Sequence, residues 1–159
     1  MNTRAIIEQY KKNNLADQIR NTKQVRLMGE SMLPVLDPKD ISVLFVSEPS
    51  YQIGDVVVFE SKKSLVGVSV HRIVKIKGDR VITKGDNNLQ CDPEIHKAAI
   101  IGKVEKALQR NGTFLSVRSS KLFSFLSNAE NSLAAVLPQK MMRSLHRRLI
   151  KVYRRHAFH

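Results

Sequence analysis

The chain has one cysteine, Cys91, and no tryptophan. A single thiol excludes an internal disulfide framework and fits a reducing compartment. Acidic residues are scarce, 14 against 27 lysines and arginines, for a formal net charge of +13 at pH 7. So basic a chain is drawn to anionic partners: nucleic acid, acidic peptides or an acidic membrane surface. No run approaches the roughly 18–20 apolar residues that a spanning helix needs. The opening Met1-Asn2-Thr3-Arg4-Ala5-Ile6-Ile7-Glu8 lacks the long apolar stretch of a secretory signal. The expectation is a cytoplasmic chain with no membrane span, peripheral at most at the inner face of a membrane. There is no Gly-rich phosphate-cradling loop, no internal repeat and no low-complexity segment. Cys91, Asp92 and His96 match no metal-ligand spacing, so neither a metal nor a cofactor is expected, and a Cys91/His96 nucleophilic pair is equally weak. Asn111-Gly112-Thr113 is a glycosylation acceptor pattern that has meaning only in an exported chain.

What is present is enough for a core. The chain has 159 residues, 42% of them hydrophobic, an ordinary balance for a soluble domain with short appendages. Residues 1–22 form the first of three segments. From Thr3 to about Ile19, Ile6, Ile7, Tyr10, Leu15 and Ile19 fall loosely on one side, which predicts a short amphipathic helix serving as a lid or strap. It is too short for a DNA-reading helix-turn-helix.

Residues 23–118 are β in character. Strands are expected at Gln24–Leu27, Ile41–Val46, Asp55–Glu60, Val66–Ile76, Val81–Lys84 and Ala98–Val104, with a weaker one at Thr113–Arg118. Turns of Gly, Asp, Asn and Pro separate them, at Asp37–Asp40, Lys77–Arg80 and Gly85–Asn88. Many short strands punctuated in this way predict a mainly β fold, a coiled antiparallel sheet.

Residues 119–159 change character. Lys121–Leu137 reads as helical, Pro138 interrupts, and Lys140–His156 reads as helical again. In the last segment Met142, Leu145, Leu149, Val152 and Tyr153 recur at helical spacing, and seven lysines and arginines fill the other sides with no acid among them. Two readings compete: attachment to an anionic membrane surface, or a helix packed on the core with a solvated cationic face.

The chemistry centres on Met28-Gly29-Glu30-Ser31-Met32-Leu33-Pro34. A serine after Gly, with Pro three residues on, sits where a strand gives way to a turn, able to present its hydroxyl and nearby backbone N–H groups. A nucleophilic serine needs a base and a group to orient that base. Of five histidines, His146, His156 and His159 lie in the basic tail, leaving His71 and His96 near the core. His71 lies within a strand, sharing a face with Ser69 and Ile73, and a strand is a rigid support for a general base. Asp86 and Asp92 are both candidate orienters. Asp86 suits capping its own turn, whereas Asp92, in Cys91-Asp92-Pro93, is freer to reach an imidazole. Asp79 reads as hairpin-turn chemistry.

Four blocks in order then carry a resemblance: Gly29-Glu30-Ser31-Met32-Leu33-Pro34, Ile53-Gly54-Asp55-Val56-Val57-Val58-Phe59, Val70-His71-Arg72-Ile73-Val74 and Thr83-Lys84-Gly85-Asp86-Asn87-Asn88. Over about residues 25–105 the chain resembles type I signal peptidases, in the Ser/His branch found in the endoplasmic reticulum and archaea. The resemblance implies a β catalytic core and a serine endopeptidase acting on a peptide bound in extended form. It implies Ser31 as nucleophile, His71 as base and Asp92 as the catalytic aspartate, with Asp86, Gly29 and Met32 in support. The self-cleaving LexA-like repressors share the Ser-Met motif but place a lysine where His71 stands. Gly29 offers no hydroxyl where the bacterial Ser/Lys branch has one, so the oxyanion would rest on backbone N–H groups, that of Ser31 included.

The expected partner is therefore a peptide or precursor protein, and nucleic acid is not expected. The rival readings are a peptide-binding module of the same fold that does not cleave, and a repressor-like regulator with its tail on phosphates.

Overall fold

A computed structural model of the chain describes residues 17–33, 35–38, 41–47, 50–61, 64, 67–109, 111–117, 129, 133 and 136–156. The body is one mainly β unit, as its alternating apolar segments predict. Among the described residues eight strands form one antiparallel sheet: β1 (Gln24–Arg26), β2 (Ile41–Val46), β3 (Val56–Glu60), β4 (Val68–Lys77), β5 (Arg80–Lys84), β6 (Ile95–His96), β7 (Ile100–Gln109) and β8 (Phe114–Ser116). The strand order is β1-β2-β7-β3-β4-β5-β6, with β8 on β7. β7 pairs with the whole of β2 through residues 103–109, and with both β3 and β8 over shorter stretches.

Register shifts at Leu44/Phe45, Val58/Phe59 and Ile73/Lys75 coil the sheet. Each extra residue bends its strand and increases the local twist. The coiled sheet then buries both faces of its central strand. Val56 and Val58 enter a large apolar cluster with Leu36, Val43, Phe45 and Val104. Val57 and Phe59 enter a second cluster with Ile73, Val81 and Ile100. The continuous Val-Val-Val-Phe run follows from this two-sided burial.

The expected strands are found with shifted ends. β4 runs Val68–Lys77, and Val66 lies outside the described residues. The strand expected at Ala98–Val104 starts later and ends later. Lys97–Ala99 instead makes a 3-10 turn, capped by His96 Nδ1, which accepts from the Ala98 N–H at 3.1 Å. β6 is two residues long, too short for a periodic pattern to reveal.

Residues 17–22 are helical, extending past the expected end at Ile19. Ile19 is buried in the large cluster, so this turn of helix straps the core. The helix closes at Lys23, whose φ of 53° is left-handed and whose N–H donates to the Ile19 carbonyl at 2.9 Å. The rest of the expected N-terminal helix lies outside the described residues, as does most of Lys121–Leu137.

The C-terminal helix spans Gln139–His156. Met142 and His146 are buried and Leu149 packs against the large cluster, so one helix face is turned to the body. Lys140, Arg143, Arg147 and Arg148 are exposed on the other sides. No helix among the described residues is long and apolar enough to cross a membrane.

Candidate active site

The Ser31 turn follows β1. Gly29 has φ +95°, a left-handed conformation that glycine adopts without a Cβ penalty. It turns the chain out of the strand direction. The Leu33 N–H donates to the Glu30 carbonyl at 3.1 Å and the Leu36 N–H to the Met32 carbonyl at 2.9 Å, so the chain coils tightly behind the serine. Met32 is buried with Leu27 and Leu36 and anchors the turn in the core. Its side chain is thus a packing element beside the serine.

His71 stands on β4 opposite Val57, its ring centroid 6.0 Å from that of Phe59. Paired backbones on β3 and β5 hold this strand on both sides, and His71 is buried. His71 Nε2 lies 3.0 Å from Ser31 Oγ, and His71 Nδ1 lies 2.6 Å from Asp92 Oδ2. A carboxylate only accepts, so the Nδ1–H donates to it; the lone pair on Nε2 is then turned toward the serine hydroxyl. Ser31, His71 and Asp92, at three separate places in the sequence, form one hydrogen-bonded line.

Asp92 is held in turn by Thr83. The fully buried Thr83 hydroxyl donates to the same Asp92 Oδ2 at 2.7 Å, and the Asp92 N–H donates to the Thr83 carbonyl at 2.8 Å. Two residues on, Lys77 donates to Glu94, and that ammonium holds the Glu94 carboxyl below the ordinary carboxylate range.

Asp86 does not cap its own turn. Its oxygens accept from Arg72 Nε at 2.9 Å and Arg72 Nη2 at 2.8 Å, while Arg72 Nη1 donates to the Gly54 carbonyl at 2.7 Å. Burial explains the difference. A guanidinium taken out of water next to His71 requires a carboxylate partner, and Asp86 is within reach of it. Asp79 does more than turn a hairpin, since its carboxylate lies 2.7 Å from His96 Nε2.

The Gly85–Asn88 turn packs directly on the Ser31 turn. The Asn87 N–H donates to the Ser31 carbonyl at 2.7 Å, and Asn87 Nδ2 donates to the Glu30 carbonyl at 3.1 Å. A Cβ on Gly85 would lie 2.7 Å from the Ser31 carbonyl oxygen, so this contact requires glycine. Behind it stands His146, whose Nε2 is 3.0 Å from the Asn87 carbonyl. Placing all three later histidines in a tail away from the core is therefore incorrect for His146, which is buried against the body.

A cavity of about 220 Å3 opens beside the serine, lined by residues 25–29, Ser31, Met32, Ser64 and residues 68–71. Of this lining, Val25 and Arg26 belong to β1 and residues 68–71 to β4. Among the described residues no group of three or more His, Cys, Asp or Glu is placed to hold a metal ion.

Thr83, Asn87 and His146 escape a reading of the sequence. Thr83 and Asn87 lie in the Thr-Lys-Gly-Asp-Asn-Asn block, which marks the region without telling which side chains do what. His146 leaves no signal, because a histidine at helical spacing in a cationic segment looks like more of the same charge.

Against this geometry, two curated proteins are similar in sequence. They are the signal peptidase complex catalytic subunits sec11 of Pyrenophora tritici-repentis and of Pyrenophora teres f. teres, each 34% identical over 79 residues, covering 46% of this chain and 45% of the relative. No family model and no solved structure matches. The chain is signal-peptidase-like over the matched stretch, and it spans about half the length of the relatives it matches. The similarity supports a peptidase at the level of the family.

Proposed function

We propose that the chain is a serine endopeptidase that cleaves a precursor or signal-like peptide bound in extended conformation. The observation that carries this reading is the line Asp92–His71–Ser31, with hydrogen-bond distances of 2.6 and 3.0 Å ending at the wall of an open cleft. Ser31 Oγ attacks the scissile carbonyl while His71 Nε2 takes its proton. Asp92 holds the imidazole in the tautomer that leaves Nε2 free to accept, and stabilises the imidazolium that forms. Backbone N–H groups of the turn, that of Ser31 among them, receive the oxyanion. The imidazolium then protonates the leaving amine, leaving an ester on Ser31, and His71 activates the water that hydrolyses it. The peptide lies between residues 25–29 and 68–71, where main-chain groups of β1, the last strand of the sheet, offer it a strand-like partner.

The test compares protein N-termini by mass spectrometry in source cells carrying the wild-type chain or Ser31→Ala. N-termini found only with wild type support the reading and identify the substrate. Identical N-termini, with both proteins equally abundant and folded, favour a binding module that does not cleave.

We also propose that the exposed cations of the C-terminal helix, Lys140, Arg143, Arg147 and Arg148, rest on an anionic membrane surface, for which the cytoplasmic leaflet supplies the acidic lipid. Support comes from a helix whose sequence holds no acidic residue and whose apolar face is already turned to the body. Flotation with phosphatidylserine vesicles at low salt, lost at high salt and in Arg143→Glu/Arg147→Glu, is the expected result; failure to float at low salt overturns it.

A further inference from the structure

The nucleophile turn is gripped from behind by a residue that the peptidase chemistry leaves unused. His146, 6% exposed, reaches from the C-terminal helix to the Asn87 carbonyl, 59 residues earlier in the chain. A carbonyl only accepts, so His146 Nε2 bears the proton and donates it. Met142 lies four residues before it and Leu149 three after, which places all three on the helix face that meets the body.

Asn87 passes this anchorage on to the serine. Its N–H and its side-chain amide hold two successive carbonyls, those of Ser31 and Glu30. The Glu30 carbonyl and the Ser31 N–H belong to one trans peptide unit, so they point in opposite directions. Holding the Glu30 oxygen toward Asn87 therefore aims the Ser31 N–H, the oxyanion donor assigned above, away from the Asn87 turn. Holding the Ser31 carbonyl fixes the Met32 N–H in the same way. Small errors in such aim matter, since loss of one oxyanion donor costs about 100- to 1,000-fold in rate.

We propose that His146 is a positioning residue for the peptidase reaction: by donating to the Asn87 carbonyl, it fixes the turn that orients the Ser31 hydroxyl and N–H. The C-terminal helix is on this account a part of the active-site scaffold. The inference rests on the peptidase reading.

The test compares wild type, His146→Gln, which keeps a side-chain N–H donor, and His146→Leu, which keeps bulk and loses the donor. The first readout is residue-resolved amide hydrogen exchange. The Asn87 amide, bonded to the Ser31 carbonyl, is expected to exchange about 10-fold faster in the Leu variant, the size of one hydrogen bond, and near the wild-type rate in the Gln variant. Amides of Val57 and Val58 in β3 serve as reference and are expected to stay unchanged. The second readout is steady-state cleavage of the best-cut peptide from a proteome-derived library. There kcat is expected to fall about 10-fold in the Leu variant with KM unchanged, and the Gln variant to recover it.

Equal protection at Asn87 in all three proteins overturns the inference. Loss of protection shared equally by β3 assigns His146 to general stability and also overturns it. An unchanged kcat overturns the inference while leaving the peptidase reading intact, provided Ser31→Ala abolishes cleavage. If wild type cuts no peptide in the library, the peptidase reading fails and His146 is no positioning residue for it.

Discussion

Arg72 and Asp86 form a two-pronged ion pair in which each side chain is 1% exposed, one residue along β4 from His71 and one along the chain from Asn87. The pair joins the strand that bears His71 to the turn that packs on Ser31. The relative placement of the two groups proposed to exchange a proton thus depends on a salt bridge outside the Ser31–His71–Asp92 line.

Breaking that pair leaves a charge buried without its partner. Asp86→Asn is expected to lower unfolding stability by about 3–5 kcal/mol, measured as a shift of the urea midpoint at unchanged m-value. A loss below about 1 kcal/mol would mean that the guanidinium finds water or another acceptor.

Thr83 governs the placement of Asp92. Thr83→Val removes the hydroxyl that donates to Asp92 Oδ2 while keeping the shape of a fully buried side chain. The expected result is a kcat about 10-fold lower, the size of one charge-assisted hydrogen bond, with recovery in Thr83→Ser. Equal activity in all three proteins would show that the His71 contact alone holds the carboxylate.

Gly85 is a test of contact distance. In Gly85→Ala the new methyl would meet the Ser31 carbonyl oxygen at 2.7 Å and Asn88 Nδ2 at 2.8 Å. The Ser31 turn must shift, and a shift approaching 1 Å is expected to cost about 100-fold in kcat/KM. Far-ultraviolet circular dichroism should show the sheet retained. Unchanged kcat/KM would mean that the shift is absorbed elsewhere.

Much of this fold is legible in the sequence, for identifiable reasons. β3 stands out because both of its faces are buried, and the strand bearing His71 because its alternation continues up to the register shift after Ile73. Strand ends were less legible where local chemistry redirects the chain, as at the His96-capped turn before β7. The pairing of Asp86 with Arg72 was hidden because an aspartate in Gly-Asp-Asn-Asn satisfies turn chemistry equally well. Only the three-dimensional arrangement reveals that a buried arginine needs it. His146 was hidden by the charge of its surroundings. The closeness of Ser31, His71 and Asp92 could not be read from periodicity, and was suggested by four short blocks in order.

The choice of base is tested by substitution. With His71 as base, His71→Gln should lower kcat/KM by at least about 100-fold. Unchanged kcat/KM would remove His71 from this role.

The most direct measurement exposes a proteome-derived peptide library to purified wild-type protein and to Ser31→Ala, and reads new termini by mass spectrometry. The account predicts cleavage at a restricted set of sites by wild type, and none by the Ser31→Ala protein, folded to the same extent. Equal cleavage by both proteins, or none by either, would contradict it.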